Sequence, residues 1–259
     1  MELKIFYLHY NTINSAPKDR PSWFSYENCL KNLFSTIGNV GPGTSIKLIL
    51  VFDGSIESFK QDFSSKYFHI DPVQYADGIQ REVAFISAGD GSAATRQALT
   101  LIFDYYQHKD DDMIYLLEND YMHAQGWVDQ VKALLARKIP FDYLSLYDHA
   151  DKYQFTSSYD GRYDALKSKL FFCNDMYWRT TPSTCFSFIS KAKTLRSDKF
   201  FIERLKDRLI FPFLNFTKGR VLISPMPSLS THCMTRYLAP IVNWEQLSNL
   251  AQKHEIAHG

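Results

Sequence analysis

Glu118-Asn119-Asp120 closes the apolar run Met113-Ile114-Tyr115-Leu116-Leu117. Two carboxylates one residue apart at the end of a buried strand can hold a hard divalent cation against phosphate oxygens. Open α/β sheets bind ligands at the carboxyl ends of their strands, so the position suits a metal ion and a diphosphate, with Asn119 between the acids as a further contact. Read bare, an acid-x-acid pair equally opens a solvated loop, and its meaning depends on its neighbours. Two other polar clusters end apolar runs, Tyr10-Asn11-Thr12 and Asp53-Gly54-Ser55. Tyr10 could stack on or bond to a base, with Asn11 and Thr12 beside it. Asp53 could accept from a base N–H or a ribose hydroxyl, although Asp53-Gly54 also reads as a plain turn.

Gly89-Asp90-Gly91-Ser92-Ala93-Ala94-Thr95-Arg96 sets small residues just ahead of a helical pattern that carries an arginine one turn in. Backbone at Gly91 and Ser92 could approach a diphosphate closely, and Arg96 could reach a phosphate. The segment is not a dinucleotide fingerprint, because the third glycine is missing, and no Gly-Lys-Ser/Thr of a P-loop occurs. Farther on, Thr180-Thr181-Pro182-Ser183-Thr184 follows Trp178 and Arg179 and offers hydroxyls and an indole to a sugar. Asp148 and His149 read as ligand contacts or as plain loop residues. His232, between Thr231 and Cys233, reads bare as a buried hydrogen-bonding histidine.

The elements that must position these groups alternate. Strands are predicted at Lys4–His9, Ile46–Phe52, Val83–Ser87, Met113–Leu117 and Tyr143–Tyr147, with helices near Ser22–Phe34, Ile56–Lys66, Ala93–Gln107 and Trp127–Arg137. This order implies a mainly parallel sheet flanked by helices. The second half is less regular. Asp148–Cys173 is loop-rich, Thr184–Ser190 alternates as a strand, and Ser197-Asp198 could cap a helix running through Phe201, Leu205 and Leu209. Gly219–Ser224 returns as a strand, and Asn243–His254 closes the chain as a helix.

The 259 residues suit one large α/β domain, since no Pro/Gly/Ser-rich linker divides them. With 29 basic against 28 acidic residues the chain lacks the basic excess of a general nucleic-acid binder. Cys29, Cys173, Cys185 and Cys233 form no Cys-x-x-Cys pair, which speaks against a zinc cluster or disulfide framework and fits a reducing, cytoplasmic setting. No secretion signal and no apolar run of spanning length is read. The run Leu209–Phe216 could rest against the inner face of a membrane, or pack in the core.

The order of these pieces resembles the GT-A class of glycosyltransferases, especially the family-2-like group that uses nucleotide-sugar donors. The resemblance rests on Tyr10-Asn11-Thr12, Asp53, Gly91-Ser92 with Arg96, Glu118-Asn119-Asp120, and Gly219–Pro225 leading to His232, and spans Lys4 to about His232. It implies a single Rossmann-like domain, with residues 1–125 binding the nucleotide sugar and residues 126–259 holding the acceptor and the catalytic groups. It further implies Mn²⁺ or Mg²⁺ on Glu118, Asp120 and His232, and donor-sugar contacts from Thr181 and Ser183. A catalytic base would lie about a dozen residues before the late glycine; Asp207 stands there, with Asp198 as its rival. The implied activity is metal-dependent, inverting transfer of a sugar, a UDP-sugar being the first choice of donor, to a hydroxyl of a glycan or glycolipid. A nucleotidyltransferase and a non-catalytic carbohydrate-binding protein on a degenerate transferase fold are the alternatives.

Overall fold

The run from Glu2 to Tyr10 forms strand β1, which is buried on both faces, as expected of a central strand covered by helices on each side. The structure is a computed structural model and describes residues 1–10, 19–37, 43–89, 91–153 and 167–254, without the side chains of Gly91, Ser92 and Asp207. The expected positions Asn11 and Thr12 lie outside the described residues. After β1 come α1 (Tyr26–Ile37), β2 (Ser45–Asp53), α2 (Ile56–Gln61), β3 (Val73–Gln74), β4 (Gln80–Ile86), α3 (Gly91–Tyr105) and β5 (Met113–Glu118). The short strand β6 (Tyr121–His123) and helix α4 (Trp127–Ala136) follow, then β7 (Tyr143–Leu144), β8 (Leu170–Cys173), β9 (Met176–Thr180) and β10 (Phe188–Lys191). Helices α5 (Ala192–Arg204) and α6 (Asp207–Lys218), strands β11 (Leu222–Met226) and β12 (Ser230–His232), and helix α7 (Trp244–Gln252) complete the chain.

Among the described residues, ten strands form one sheet in the order β3-β4-β2-β1-β5-β10-β7-β11-β9-β8. The expected parallel block is present as β4-β2-β1-β5, and β7, β11 and β8 run the same way, whereas β3, β10 and β9 run opposite. Strand alternation divides the core. Ile5, Tyr7, Leu48, Leu50 and Leu117 face α1, α4 and α7, while Phe6, Leu8, Ile49, Val51 and Leu116 face α3, α5 and α6. Successive strands depart from β1 first through β2 and β4 on one side and then through β5 on the other. The carboxyl ends of β1 and β5 therefore flank a topological switch point, where an open α/β sheet leaves a crevice.

Several elements differ from the sequence expectation, among them the short strands β3, β8 and β9. The helix thought to begin at Ser197-Asp198 starts at Ala192, directly after β10, and it ends at Arg204, so that α6 is a separate helix. Lys191 precedes α5 without a side-chain cap, which leaves no capping signal at the true start. β6 and β12 pair with each other outside the main sheet, too short to be read from alternation.

His123 fixes β6 to the core. Asn32 bonds both its backbone N–H (2.6 Å) and its C=O (3.0 Å), and its Nε2 lies 2.8 Å from the Tyr115 hydroxyl. Burial pulls its imidazole down to about 3. The unfolded chain takes this proton near pH 6.5 and the folded chain does not, so stability is full above pH 6.5 and falls as the pH drops towards 3. Up to about 1.4 kcal/mol is expected to be lost per pH unit in that window. Urea titrations between pH 6.5 and 5 should show this slope as the difference between the parent and His123→Gln, since His149 and His232, whose protonated forms the fold favours, pull the other way equally in both.

Candidate functional site

The register sets three strand ends side by side. Tyr10 pairs with Asp53 between β1 and β2, and Leu8 pairs with Glu118 between β1 and β5. Adjacent strands lie about 4.8 Å apart, so Tyr10, Asp53 and Glu118 share one rim about 10 Å wide. Asp53 secures that rim: its Oδ1 accepts from the Ala88 N–H at 2.8 Å and its Oδ2 from the Gly89 N–H at 3.2 Å. Those bonds fix the loop ahead of α3, which delivers the helix N-terminus at Gly91 to the same rim. Arg96 is exposed on α3.

Asn119 and Asp120 form a turn between β5 and β6, and this turn changes how the acid-x-acid pair works. In an extended strand Glu118 and Asp120 would point the same way. Glu118 keeps the parity of Leu116, on the α3 side, and its N–H donates to Ser187 Oγ at 3.1 Å. The turn carries Asn119 and Asp120 to the α1 side, where the Tyr7 hydroxyl donates to the Asn119 C=O (3.1 Å) and Asn119 Nδ2 donates to His9 Nδ1 (3.0 Å). His9 in turn meets Asp62 through Nε2 at 3.1 Å.

Asp120 is buried, and its Oδ2 accepts from Arg20 Nη2 at 2.6 Å and from His232 Nε2 at 3.1 Å. Burial raises the Asp120 carboxyl, but His232 and Arg20 outweigh it and hold the group well below the usual carboxylate range. For His232 the signs reverse: burial lowers the imidazole, and Asp120 then holds it well above its ordinary value. The pairing of His232 with Asp120 follows from β12 lying antiparallel to β6, with His232 opposite Tyr121 in register and stacked on its ring at 5.1 Å. Arg20 also donates to the Cys233 carbonyl at 2.6 Å, and its guanidinium lies 4.4 Å above the Phe24 ring.

Next to this group the chain returns from β9 towards β10. Thr181 is tied to the start of β11 through its N–H on the Leu222 carbonyl at 3.0 Å, away from the rim, and the Ser183 carbonyl accepts from Lys152 Nζ at 3.0 Å. Cys185, two residues on, lies beside His149 and His232, and these imidazoles outweigh burial to bring its thiol down to about 6. His149 is paired with Asp151 at 2.6 Å. Burial lowers His149, but Asp151 and Cys185 together raise it to about 9. Asp148 is engaged by Arg179 (2.5 Å), Tyr153 and Ser224 (3.4 Å). Neither Arg20 nor Cys185 stood out in the sequence, since Arg20 is 100 residues from its partner and Cys185 has no spacing motif.

The two expected bases part company. Asp198 is fully buried within α5, where it binds Lys218 (2.7 Å), Arg220 (2.8 Å) and the Tyr143 hydroxyl (2.8 Å). Tyr143 pairs with Ser190, which pairs with Ile114 near the start of β5, so Asp198 lies at the amino edge, opposite the rim. There it serves as an ion-pair hub that joins α5, α6 and β7. Asp207 opens α6, directly after the short turn that follows α5. A groove of about 740 Å³ runs along β4 from Gln80 to Phe85, with Lys4, Lys47, Ile56 and Tyr106 also in its lining.

No protein-family model matches the sequence, and no curated protein matches it. Among solved structures the chain is similar to S. aureus TarS 1–349, with a TM-score of 0.47 and 14% identity over 86% of this chain and 58% of that one. It thus spans little more than half of that chain. It is also similar to the apo form of mouse xyloside xylosyltransferase 1 (TM-score 0.46, 11% identity, 86% of this chain and 84% of that one). A third similarity is to Francisella tularensis 2-C-methyl-D-erythritol 4-phosphate cytidylyltransferase (TM-score 0.43, 15% identity, 96% of this chain and 98% of that one). No described helix is long and apolar enough to cross a membrane.

Proposed function

We propose that this chain transfers a sugar from a nucleoside-diphosphate donor, with UDP-sugars the first choice, to a hydroxyl of a glycan or glycolipid acceptor. One observation carries the reading: the switch-point rim gathers Tyr10, Asp53, Asn119 and Asp120 from three adjacent strand ends, with the N-terminus of α3 beside them. Such a rim offers a base or ribose contact at one end and a polar, cation-lined turn at the other, as a nucleoside diphosphate requires. The loop-rich segment after β7, with His149 and Lys152, borders the acceptor side.

The expected Mn²⁺ or Mg²⁺ on Glu118, Asp120 and His232 does not fit the residues as they are placed. Asp120 Oδ2 already carries a guanidinium at 2.6 Å and an imidazole at 3.1 Å. Among the described residues no three His, Cys, Asp or Glu side chains are grouped to hold an ion. The proposed mechanism therefore uses the chain's own groups. The acceptor hydroxyl attacks the anomeric carbon, the diphosphate departs, and a carboxylate removes the hydroxyl proton.

Asp207 is the proposed base, on the strength of its spacing about a dozen residues before Gly219, which the resemblance implies. Asp207→Asn is expected to lower kcat by about 10²- to 10⁴-fold while leaving donor affinity unchanged. Equal loss of donor affinity would remove it from this role. The reaction itself is tested by incubating the chain with a panel of nucleotide sugars and simple glycosides and resolving the products. Free nucleoside diphosphate with a glycosylated acceptor supports the reading. Release of pyrophosphate from nucleoside triphosphates would move the chain to nucleotidyl transfer, and no product from any donor would leave a carbohydrate-binding role.

A further inference from the structure

We infer that Arg20, held in place by Asp120 with His232 beside it, supplies the positive charge that receives the donor's diphosphate, in the position where the sequence pattern calls for a divalent cation. The inference rests on the nucleotide-sugar reading above and specifies how that site meets its anion. It begins from a layering of charge. The Asp120 side chain lies underneath at 5% exposure, whereas Arg20 and His232, both bonded to its Oδ2, keep 13% and 15% of their side chains exposed. An anion entering the rim meets the two nitrogen-bearing groups before the carboxylate.

The guanidinium is positioned from several directions. Nη1 is tied to the Cys233 carbonyl at 2.6 Å, Nη2 to Asp120 at 2.6 Å, and the plane rests over Phe24 at 4.4 Å. Arginine has five N–H donors in a rigid fork and remains charged at all accessible pH values, so a fork fixed on one side by protein acceptors is preorganised to bind phosphate oxygens with the rest. Preorganisation matters most where charge develops, as it does on the leaving diphosphate. A divalent ion on Asp120 Oδ2 would displace a 2.6 Å charge-assisted bond and a 3.1 Å imidazole contact. It would also lack a grouped set of three ligands among the described residues.

The experiment is calorimetric titration of UDP, GDP, CDP, ADP and dTDP, with UMP and uridine as controls, into the full chain in EDTA and then in Mn²⁺. Mn²⁺ binding without nucleotide is followed in parallel by the spin-resonance signal of the free ion. The inference expects one diphosphate to bind in EDTA within about threefold of its affinity in Mn²⁺. Arg20→Gln should weaken that diphosphate by about 10- to 100-fold while leaving the nucleoside unaffected, and Arg20→Lys should fall between. Tight Mn²⁺ binding that Asp120→Asn abolishes, with diphosphate binding lost in EDTA, would overturn the inference and leave the nucleotide-sugar reading standing. Failure of every diphosphate to bind in either condition would overturn both. The EDTA comparison is made on the unaltered chain, so the outcome does not depend on the folding of any variant.

Discussion

Asp198→Asn is expected to lower the melting temperature by about 6–12 °C while leaving turnover per folded molecule unchanged. Asp198 accepts from Lys218, Arg220 and Tyr143 at 2.7–2.8 Å and has no exposed side-chain surface. Removing one partner of a buried ion pair costs about 3–5 kcal/mol. Arg220 retains Asp142 at 2.9 Å, and Lys218 is partly exposed and can turn to water, which places the cost near the lower end, about 3 kcal/mol. For a chain of this size each kcal/mol moves the melting temperature by about 2–4 °C.

The pH dependence gives that prediction a second readout. Burial raises the Asp198 carboxyl, but bonds from Arg220, Lys218 and Tyr143 outweigh it and keep the group below its ordinary range. A carboxylate with a depressed folded value contributes its full stability above the unfolded value of about 3.9 and loses it as the pH falls through the folded one. The gap in melting temperature between the parent and Asp198→Asn should therefore be widest near neutrality and close in acid. A loss of kcat at full folded occupancy, with no thermal shift, would return Asp198 to the catalytic machinery.

Asp198 also shows where sequence reading stops. Ser197-Asp198 has the composition of a helix start, but α5 begins five residues earlier, at Ala192, because it follows β10 without a connecting loop. Its N-cap, Lys191, carries no cap bond, so local chemistry gave no sign of it. The β1, β2 and β5 strands were legible for a different reason: helices cover both faces, and each reads as a largely apolar run, with Lys4 and Lys47 near the starts of β1 and β2, ending in a polar rim. Position at the rim was therefore readable for Tyr10, Asp53, Glu118 and Asp120, but side-chain direction was not. The turn at Asn119-Asp120 breaks the two-residue period and takes Asp120 to a different layer from Glu118. Long-range partners such as Arg20 and Cys185 leave no periodic trace, since nothing in a local pattern reports a contact made through tertiary folding.

Asp120→Asn is expected to reduce kcat/KM for donor turnover by about 10²- to 10³-fold, the loss typical of removing one preorganised group that stabilises developing charge. The consequence follows from what Asp120 holds. Without its charge, Arg20 keeps the Cys233 carbonyl and the Phe24 and Tyr26 faces, and His232 keeps its stack on Tyr121 and its contact with Cys185. The fork is then free to turn away from the diphosphate. If Asp120 acts by orienting Arg20, the two changes remove the same interaction, and Asp120→Asn with Arg20→Gln together should cost little more than the worse of the two alone. If Asp120 instead acts independently, their effects should multiply, giving about 10³-fold or more. Steady-state kinetics on the two single variants and the double variant, in EDTA, separate these cases. Strict multiplication would detach Arg20 from the catalytic role of Asp120. Near-complete overlap would make the buried acid the support of an arginine, so that the residue marked most clearly in the sequence would serve one the sequence does not mark.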